Sequence, residues 1–264
     1  MRELREGFDD IADLYDRIRP RYPEELFTEL FSRLPQRAEV VEVGPGTGQA
    51  TGALLNHHAR VTAVELGANL ASRLRRNYSA RDDLDVIVSS FEEAALPPHS
   101  FDAVVAATSY HWVSGTSRLE KPHELLRPDG WFAIIDTVQV SAPTDHGFFE
   151  RVQPIYERYG QGHQGPPAPV PDEASSPIMA ELEKSALFRS PSLFRYRWDQ
   201  TYSTSEYIAL IRSYSGTQAM PEDQRTALLA DMSRFVEDHF GGYVTRPLVI
   251  VLTLAHPTAR TRRI

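Results

Sequence analysis

The chain has 264 residues, and its 41% hydrophobic and 24% charged residues are the composition of an ordinary globular protein. Its 28 basic and 36 acidic residues give a net charge of −8, which is the wrong sign for a protein that wraps nucleic acid or lies on an anionic membrane. The absence of cysteine excludes disulfides, thiolate nucleophiles and cysteine-ligated metal ions.

The first segment has apolar residues at helical spacing, and Pro20 and Pro23 divide it into two predicted helices. Charges recur every few residues over positions 1–17, so we do not expect a signal peptide there. The longest apolar run, residues 248–255, is far shorter than the roughly 20 residues of a membrane-spanning helix. We therefore expect a cytoplasmic protein with no membrane partner.

The next part of the chain alternates short apolar runs with helical stretches. Near-continuous apolar strands separated by helices predict a parallel sheet covered on both faces, and right-handed crossovers make it a doubly wound, Rossmann-like α/β fold. The fifth run follows a predicted helix at Thr116–Leu126 and a predicted turn at Arg127–Gly130. The predicted strands are Glu39–Val43, Arg60–Val64, Asp85–Val88, Phe101–Ala107 and Trp131–Val138.

The pattern is less regular from residue 141 onward. Residues 160–177 are rich in glycine and proline and predict an irregular segment, either a surface loop or a lid over a substrate pocket. The remaining predicted elements are a strand at Leu193–Ser203, helices from Ser205 and at Pro221–Phe240, and a strand at Val244–Ala255. This region also contains Tyr196, Trp198, Tyr202, Tyr207 and Tyr214, which we expect to be mostly core, with one or two in an acceptor pocket.

A glycine-rich loop, Gly44-Pro45-Gly46-Thr47-Gly48, lies between the first strand and the following helix. Glycines there let the backbone approach a ligand closely, and the helix start supplies free N–H groups. Glu65 ends the second strand, where an acid accepts hydrogen bonds from both ribose hydroxyls of an adenosine ligand. Together they predict an adenosine-containing cofactor. Glu42 is interpreted as a partner for backbone N–H groups of the loop.

The Gly-x-Gly-x-Gly spacing with Glu42 two residues before it resembles class I S-adenosylmethionine-dependent methyltransferases, whereas a dinucleotide fingerprint would have glycine in place of Gln49. Phe101–Val105 and Leu125–Trp131 resemble the same family. Tyr15–Pro23 and Thr108–Trp112 are similar to its small-molecule branch, which includes trans-aconitate methyltransferase-like enzymes. The resemblance covers residues 8–140, and more loosely 193–255.

This resemblance implies one domain with seven strands in the order 3-2-1-4-5-7-6, the last strand being antiparallel. It also implies an amino-terminal helical lid, a cofactor-binding core, an acceptor cap containing strand six, and a final strand with a tail. These parts correspond to residues 1–36, 37–140, 141–240 and 241–264.

The family's cofactor is S-adenosylmethionine, with S-adenosylhomocysteine as product, and the resemblance implies a site for it. Gly44, Gly46, Thr47 and Gly48 would line its methionine and ribose, and Glu65 would bind the ribose diol. Leu66 would pack on the adenine, whose edge would meet Ser90 and Phe91; Ser90 stands where many relatives have aspartate. Ala107 and Thr108 would lie near the sulfonium, with Arg19 and Tyr22 at the carboxylate.

The methyl acceptor is expected near His111, just after the fourth strand. This histidine is interpreted either as a general base or as a pocket-wall residue beside Trp112. Tyr110 carries the same two interpretations, and Tyr15, Tyr110 and Trp112 are candidate substrate contacts. His146 and His163 have no carboxylate at metal-ligand spacing, so we expect no metal.

The sequence thus predicts methyl transfer to an oxygen, nitrogen or carbon nucleophile of a small molecule by in-line displacement, with no nucleic-acid partner. Two alternatives stay open: a dinucleotide-dependent oxidoreductase, and a protein that binds an adenosine cofactor without transferring methyl. The identity of the acceptor and the choice between monomer and homodimer are not decided at this point.

Overall fold

The computed structural model describes residues 22–115, 117–162 and 167–259. Tyr15, Arg19, His163 and the helix expected before Pro20 lie outside these residues. The described strands are β1 (Glu39–Val43), β2 (Arg60–Glu65), β3 (Leu84–Val88), β4 (Phe101–Ala107), β5 (Leu126–Gln139), β6 (Phe188–Ser203) and β7 (Tyr243–Pro257). They form a seven-stranded sheet of order β3-β2-β1-β4-β5-β7-β6, whose last strand is antiparallel, and this confirms the predicted topology.

Ten α-helices fall within the described residues. They are α1 (Glu24–Phe31), α2 (Thr51–Asn56), α3 (Ala68–Asn77), α4 (Ser117–Leu125), α5 (Phe148–Arg151), α6 (Gln153–Arg158), α7 (Pro177–Lys184), α8 (Thr204–Arg212), α9 (Ser215–Gln218) and α10 (Glu222–Phe240). The predicted start of α1 is confirmed, because Pro23 precedes it and two glutamates occupy its first turn. No described helix is both long and apolar enough to cross a membrane.

The described chain divides into two compact units. The sheet unit comprises residues 22–137, Ser175–Tyr196 and residues 250–259, and the helical unit comprises Val138–Ala174 and Arg197–Val249. The segment 141–240, expected to form the acceptor cap, therefore contributes to both units.

The sheet unit has its core on the central strands β1 and β4. Val40, Val41, Val104 and Val105 are all fully buried, as expected of parallel strands covered on both faces. Burying each such side chain contributes about 1.5–3 kcal/mol. Parallel pairing of β1 with β2 and β4 brings the carboxyl ends of these three strands to one edge of the sheet. The loops that follow them therefore lie close together.

Strand β5 begins five residues earlier than predicted. Its register against β4 shifts, because Phe101 pairs with Leu126 while Ala103 pairs with Trp131. The predicted turn at 127–130 is therefore a bulge inside the strand. Asp102 stabilises it, accepting from Arg127 Nη1 at 2.6 Å through one oxygen and from the backbone N–H of Glu39 at 2.8 Å through the other. Strand β6 likewise begins earlier, at Phe188.

The helical unit packs its helices around a second apolar cluster that includes fully buried Phe148 and Tyr207. A capping box starts α8: the side chain of Ser203 accepts from the backbone N–H of Glu206, whose carboxylate accepts from the N–H of Ser203. Helix α10 is followed by Gly241, the predicted terminator, which has φ +61° and caps the helix.

The segment predicted as an irregular loop, 160–177, is described outside residues 163–166. It contains one short 3₁₀ turn at Pro171–Glu173, and the helix α7 begins at Pro177. Ala174 and Ser176 are buried, so this end of the segment is packed and is not a loose surface loop. A lid role for the segment stays a prediction.

Candidate functional site

The glycine loop after β1 requires its glycines for two separate reasons. Gly44 and Gly48 have φ values of +64° and +107°, in the region that side-chain-bearing residues rarely adopt. A Cβ at Gly44 would lie 2.8 Å from Cβ of Ser109, and one at Gly48 would lie 2.5 Å from the ring of Tyr78. A larger residue at either position would displace the loop.

Residues at the end of α3 stabilise the loop by hydrogen bonds to its carbonyl groups. The Tyr78 hydroxyl donates to the Gly48 carbonyl at 2.8 Å, and Asn77 Nδ2 donates to the Thr47 carbonyl at 2.9 Å. Gln49 Nε2 donates to Thr47 Oγ1 at 2.7 Å. Asn77 and Tyr78 were missed by the sequence analysis, because their contacts join residues about 30 positions apart and no local pattern marks them.

Glu65 links this loop to the end of β2. One carboxylate oxygen accepts from the Gly46 N–H at 2.9 Å, and the other accepts from the Gly67 N–H at 2.8 Å. The side chain is 6% exposed. A carboxylate offers about four lone-pair directions, and these two bonds occupy two of them. The predicted acid and the predicted loop are thus parts of one hydrogen-bonded arrangement.

Glu42 is buried beneath the loop, and its partner differs from the one expected. The Thr51 hydroxyl donates to Glu42 Oε2 at 2.6 Å, while Oε1 has no hydrogen-bond partner among the described residues. The interpretation that Glu42 accepts from loop N–H groups is therefore wrong. Burial raises the pKa of Glu42 to about 7, the Thr51 hydrogen bond lowers it, and the nearby charge of Glu65 raises it.

The segment after β3 holds the residues expected at the adenine edge. Ser90 Oγ accepts from the backbone N–H of Glu93 at 3.2 Å, so its side chain caps a turn. The ring of Phe91 is buried and meets Tyr110 edge-on, with centroids 6.4 Å apart. Leu66, after β2, is partly buried. An adenine contact by any of the three stays a prediction.

The end of β4 brings together two residues predicted for the cofactor. Ala107 pairs with Ile135 on β5, and the next residue, Thr108, donates its N–H to the Ile135 carbonyl at 2.7 Å. Thr108 has φ +53°, which for a β-branched residue costs on the order of 1–3 kcal/mol. Its hydroxyl lies 3.0 Å from the Tyr22 hydroxyl, 86 positions away in sequence. Strain of this kind accumulates at functional sites.

Two candidate residues of the short 3₁₀ helix after β4, Tyr110 and His111, differ in exposure. His111 is exposed, with its ring 5.0 Å from that of the partly buried Trp112. Tyr110 is 1% exposed, packs on Phe132, and donates its hydroxyl to the Arg118 carbonyl. The core interpretation of Tyr110 is therefore the one that the structure favours, and His111 faces outward.

Asp136 is a further acid at this edge that the sequence analysis did not single out. It follows Ile135 on β5 and accepts a hydrogen bond from the Ser176 hydroxyl. Burial raises the pKa of the Asp136 carboxyl, whereas the Ser176 hydrogen bond and the charges of His111 and Arg118 lower it. His111 and Asp136 are thus near enough to interact electrostatically. Asp136 lies toward the carboxyl end of a parallel strand, where ligands bind in sheets of this kind, and this position could have marked it in the sequence.

The described residues contain no group of three or more side chains from His, Cys, Asp and Glu that is arranged to hold a metal ion. Independence from metal stays a prediction.

A glycine loop after the first strand and an acid after the second, on a doubly wound sheet, define the class of α/β proteins with an adenosine-nucleotide site. The comparisons narrow this class. Residues 41–134 match the family described as "Methyltransferase domain". The strand order and the match together identify the fold of class I S-adenosylmethionine-dependent methyltransferases.

Individual relatives agree with this assignment. An uncharacterised methyltransferase of Mycobacterium tuberculosis is 29% identical over 134 residues, which are 51% of this chain and 53% of that protein. The chain thus spans about half of the length of that relative. The structure of a putative type II methyltransferase from Anaeromyxobacter dehalogenans has a TM-score of 0.57 at 23% identity, and the match covers 92% of this chain and 97% of that one.

A third comparison includes a bound product. A phosphoethanolamine N-methyltransferase of Haemonchus contortus, solved with phosphomonomethylethanolamine and S-adenosylhomocysteine, has a TM-score of 0.53 at 16% identity. The match covers 95% of this chain and 58% of that one. At these identities the two structures show a shared fold, and that is all they contribute.

Proposed function

We propose that this chain transfers a methyl group from S-adenosylmethionine to a nucleophile on a small molecule. The observation that carries the proposal is the joint geometry of the Gly44–Gly48 loop and Glu65, which share a hydrogen bond at the edge where β1 and β2 end. The likeness of Thr108–Trp112 to a small-molecule branch of the family supports a small acceptor. The net charge of −8 supports the further proposal that the chain has no nucleic-acid partner. We also propose a cytoplasmic location.

The described residues fit the cofactor chemically. A closely approachable loop backbone suits the methionine and ribose part, and the Glu65 carboxylate suits the ribose diol. The paired hydroxyls of Tyr22 and Thr108 suit polar groups of the methionine moiety, with Arg19 as the further expected partner. When bound, S-adenosylmethionine supplies a methyl group already activated by a sulfonium.

The work left to the chain is positioning, water exclusion and proton handling. A nucleophile must be held in line with the methyl carbon at about 3–3.5 Å, and we expect the loop after β4 to contribute to this. A carboxylate acceptor needs no base. A phenol or an amine must lose a proton, and His111 is the candidate to accept it, because a neutral imidazole can act as a general base and His111 interacts electrostatically with Asp136.

The proposal is tested by two measurements on the full chain. Calorimetric titration should show binding of S-adenosylmethionine and S-adenosylhomocysteine, and no binding of NAD or NADP. A screen of small carboxylic acids, phenols and amines should then yield S-adenosylhomocysteine with at least one acceptor. Tighter binding of a dinucleotide would favour the oxidoreductase. Cofactor binding without turnover across the screen would favour a binding protein.

A further inference from the structure

The helical unit contains an arginine whose charge has no carboxylate partner in the described part of the chain. Arg246 lies near the start of β7, and its Nε and Nη2 both donate to Gln139 Oε1, at 3.2 and 2.8 Å. Its Nη1 donates to the Tyr214 hydroxyl at 2.8 Å. By contrast, Arg158 and Arg197 in the same unit pair with Asp231 and Asp172.

In the described part of the chain, the titratable groups that act on Arg246 are tyrosines. The hydroxyls of Tyr156 and Tyr207 lie 3.4 Å apart, and both residues interact electrostatically with Arg246. Burial raises the pKa of Tyr156 to about 12 and raises that of Tyr207 well above its ordinary value. Neither phenol therefore ionises to a phenolate that would offset the guanidinium. The glutamine amide cannot do so either.

This arrangement costs stability unless an anion completes it. A half-buried cation held by neutral groups loses hydration without gaining a full counter-charge. A guanidinium has five N–H donors, and Arg246 uses three of them on Gln139 and Tyr214. Two N–H groups thus stay uncommitted among the described residues, and Gln139 holds the guanidinium plane in one orientation.

We propose that Arg246, oriented by Gln139 and Tyr214, binds the carboxylate of a small aromatic acid. One unit of positive charge on a planar fork matches one planar carboxylate, with which arginine forms short, paired hydrogen bonds. Tyr156 and Tyr214, partly buried members of the neighbouring aromatic cluster, would supply an apolar wall for a ring. The proposal uses residues of the helical unit alone, so it stands independently of the proposed methyl transfer.

The test uses sodium benzoate as the probe and benzamide as its neutral isostere. Binding to the full chain is measured by calorimetric titration and by ligand-observed NMR. Benzoate should bind at least about tenfold more tightly than benzamide, and Arg246→Gln should weaken benzoate by about tenfold or more, since a hydrogen bond to a charged group is lost. Tyr214→Phe should weaken it less, because it removes one contact that holds the guanidinium.

The matched control is Arg197→Gln, the same substitution in the same unit at an exposed arginine that has its own carboxylate. It should leave benzoate affinity unchanged. If Arg246→Gln does not fold by circular dichroism, Arg246→Lys takes its place, since lysine keeps the charge and loses the fork. Equal affinity of wild type and variant, equal affinity for benzoate and benzamide, or no benzoate binding to wild type would each overturn the proposal.

Discussion

The two units differ in the partners that they give to a charged side chain removed from solvent. In the sheet unit, both oxygens of Glu65 meet backbone N–H donors that lie within 20 positions of it in sequence. In the helical unit, Arg246 meets neutral side chains from distant parts of the chain, Gln139 and Tyr214. The first arrangement pairs the carboxylate with backbone donors, which suits the proposed cofactor site. The second lacks a counter-charge among the described residues, which is the basis of the proposed anion site.

The largest expected effect is on the glycine loop. Gly48→Val should abolish measurable S-adenosylmethionine binding, because its φ of +107° and the 2.5 Å approach to Tyr78 both exclude a side chain. The matched variant is Gly241→Ala in the helical unit, where φ is also positive but no atom lies within 4 Å of the added Cβ. It should cost about 1 kcal/mol of unfolding free energy and leave the affinity unchanged. Calorimetry and thermal unfolding measure both variants.

Removal of the candidate base should affect turnover and spare binding. With a phenol or amine acceptor, His111→Ala should lower kcat by about 10²- to 10⁴-fold, with the S-adenosylmethionine affinity of wild type. His239→Ala, an exposed histidine at the end of α10, is the control and should keep full kcat. Unchanged turnover of His111→Ala at all pH values would show that His111 is a pocket wall.

A smaller loss is expected at Glu65. Glu65→Gln keeps the size of the side chain but replaces one acceptor oxygen with a donor that faces an N–H group, so cofactor affinity should fall by about 10- to 100-fold. Glu206→Gln is the comparable change in the helical unit, since Glu206 also accepts from a backbone N–H. It should weaken the capping box alone. Equal cofactor affinities of the two variants would contradict the assigned role of Glu65.

A further expected effect, on stability and not on activity, is a pH dependence. The pKa of Glu42 is about 7 in the folded state against a usual 4.5, so the folded state binds this proton more tightly than the unfolded state does. Its contribution is therefore fully present below pH 4.5 and is lost as pH rises through 7, by at most about 3 kcal/mol.

Glu42→Gln should remove that loss, so the variant should gain stability relative to wild type between pH 5 and pH 8. Urea unfolding at the two pH values measures the difference. Parallel stability curves for the two proteins would show that Glu42 does not titrate in this range.

Much of the sheet unit was accessible from local patterns. Strands β1 to β4 were predicted to within one residue at each end, because fully buried parallel strands are apolar runs bounded by polar turns. The glycine loop and Glu65 are likewise local motifs at known positions relative to those strands. The start of β5 was missed, because the contacts of Asp102 with Arg127 and Glu39 convert an apparent turn into a bulge.

By itself the sequence determined the strand pattern and the position of the glycine loop, and it predicted the cofactor role of the loop and the base role of His111, since each depends on residues that are neighbours along the chain. Only the tertiary structure decided that Glu42 bonds to Thr51, that Tyr110 is core, and that Asp136 lies near His111. It also decided that Arg246 has neutral partners. These properties depend on which side chains meet after folding, and burial and partner identity are set by contacts between positions that no local spacing relates.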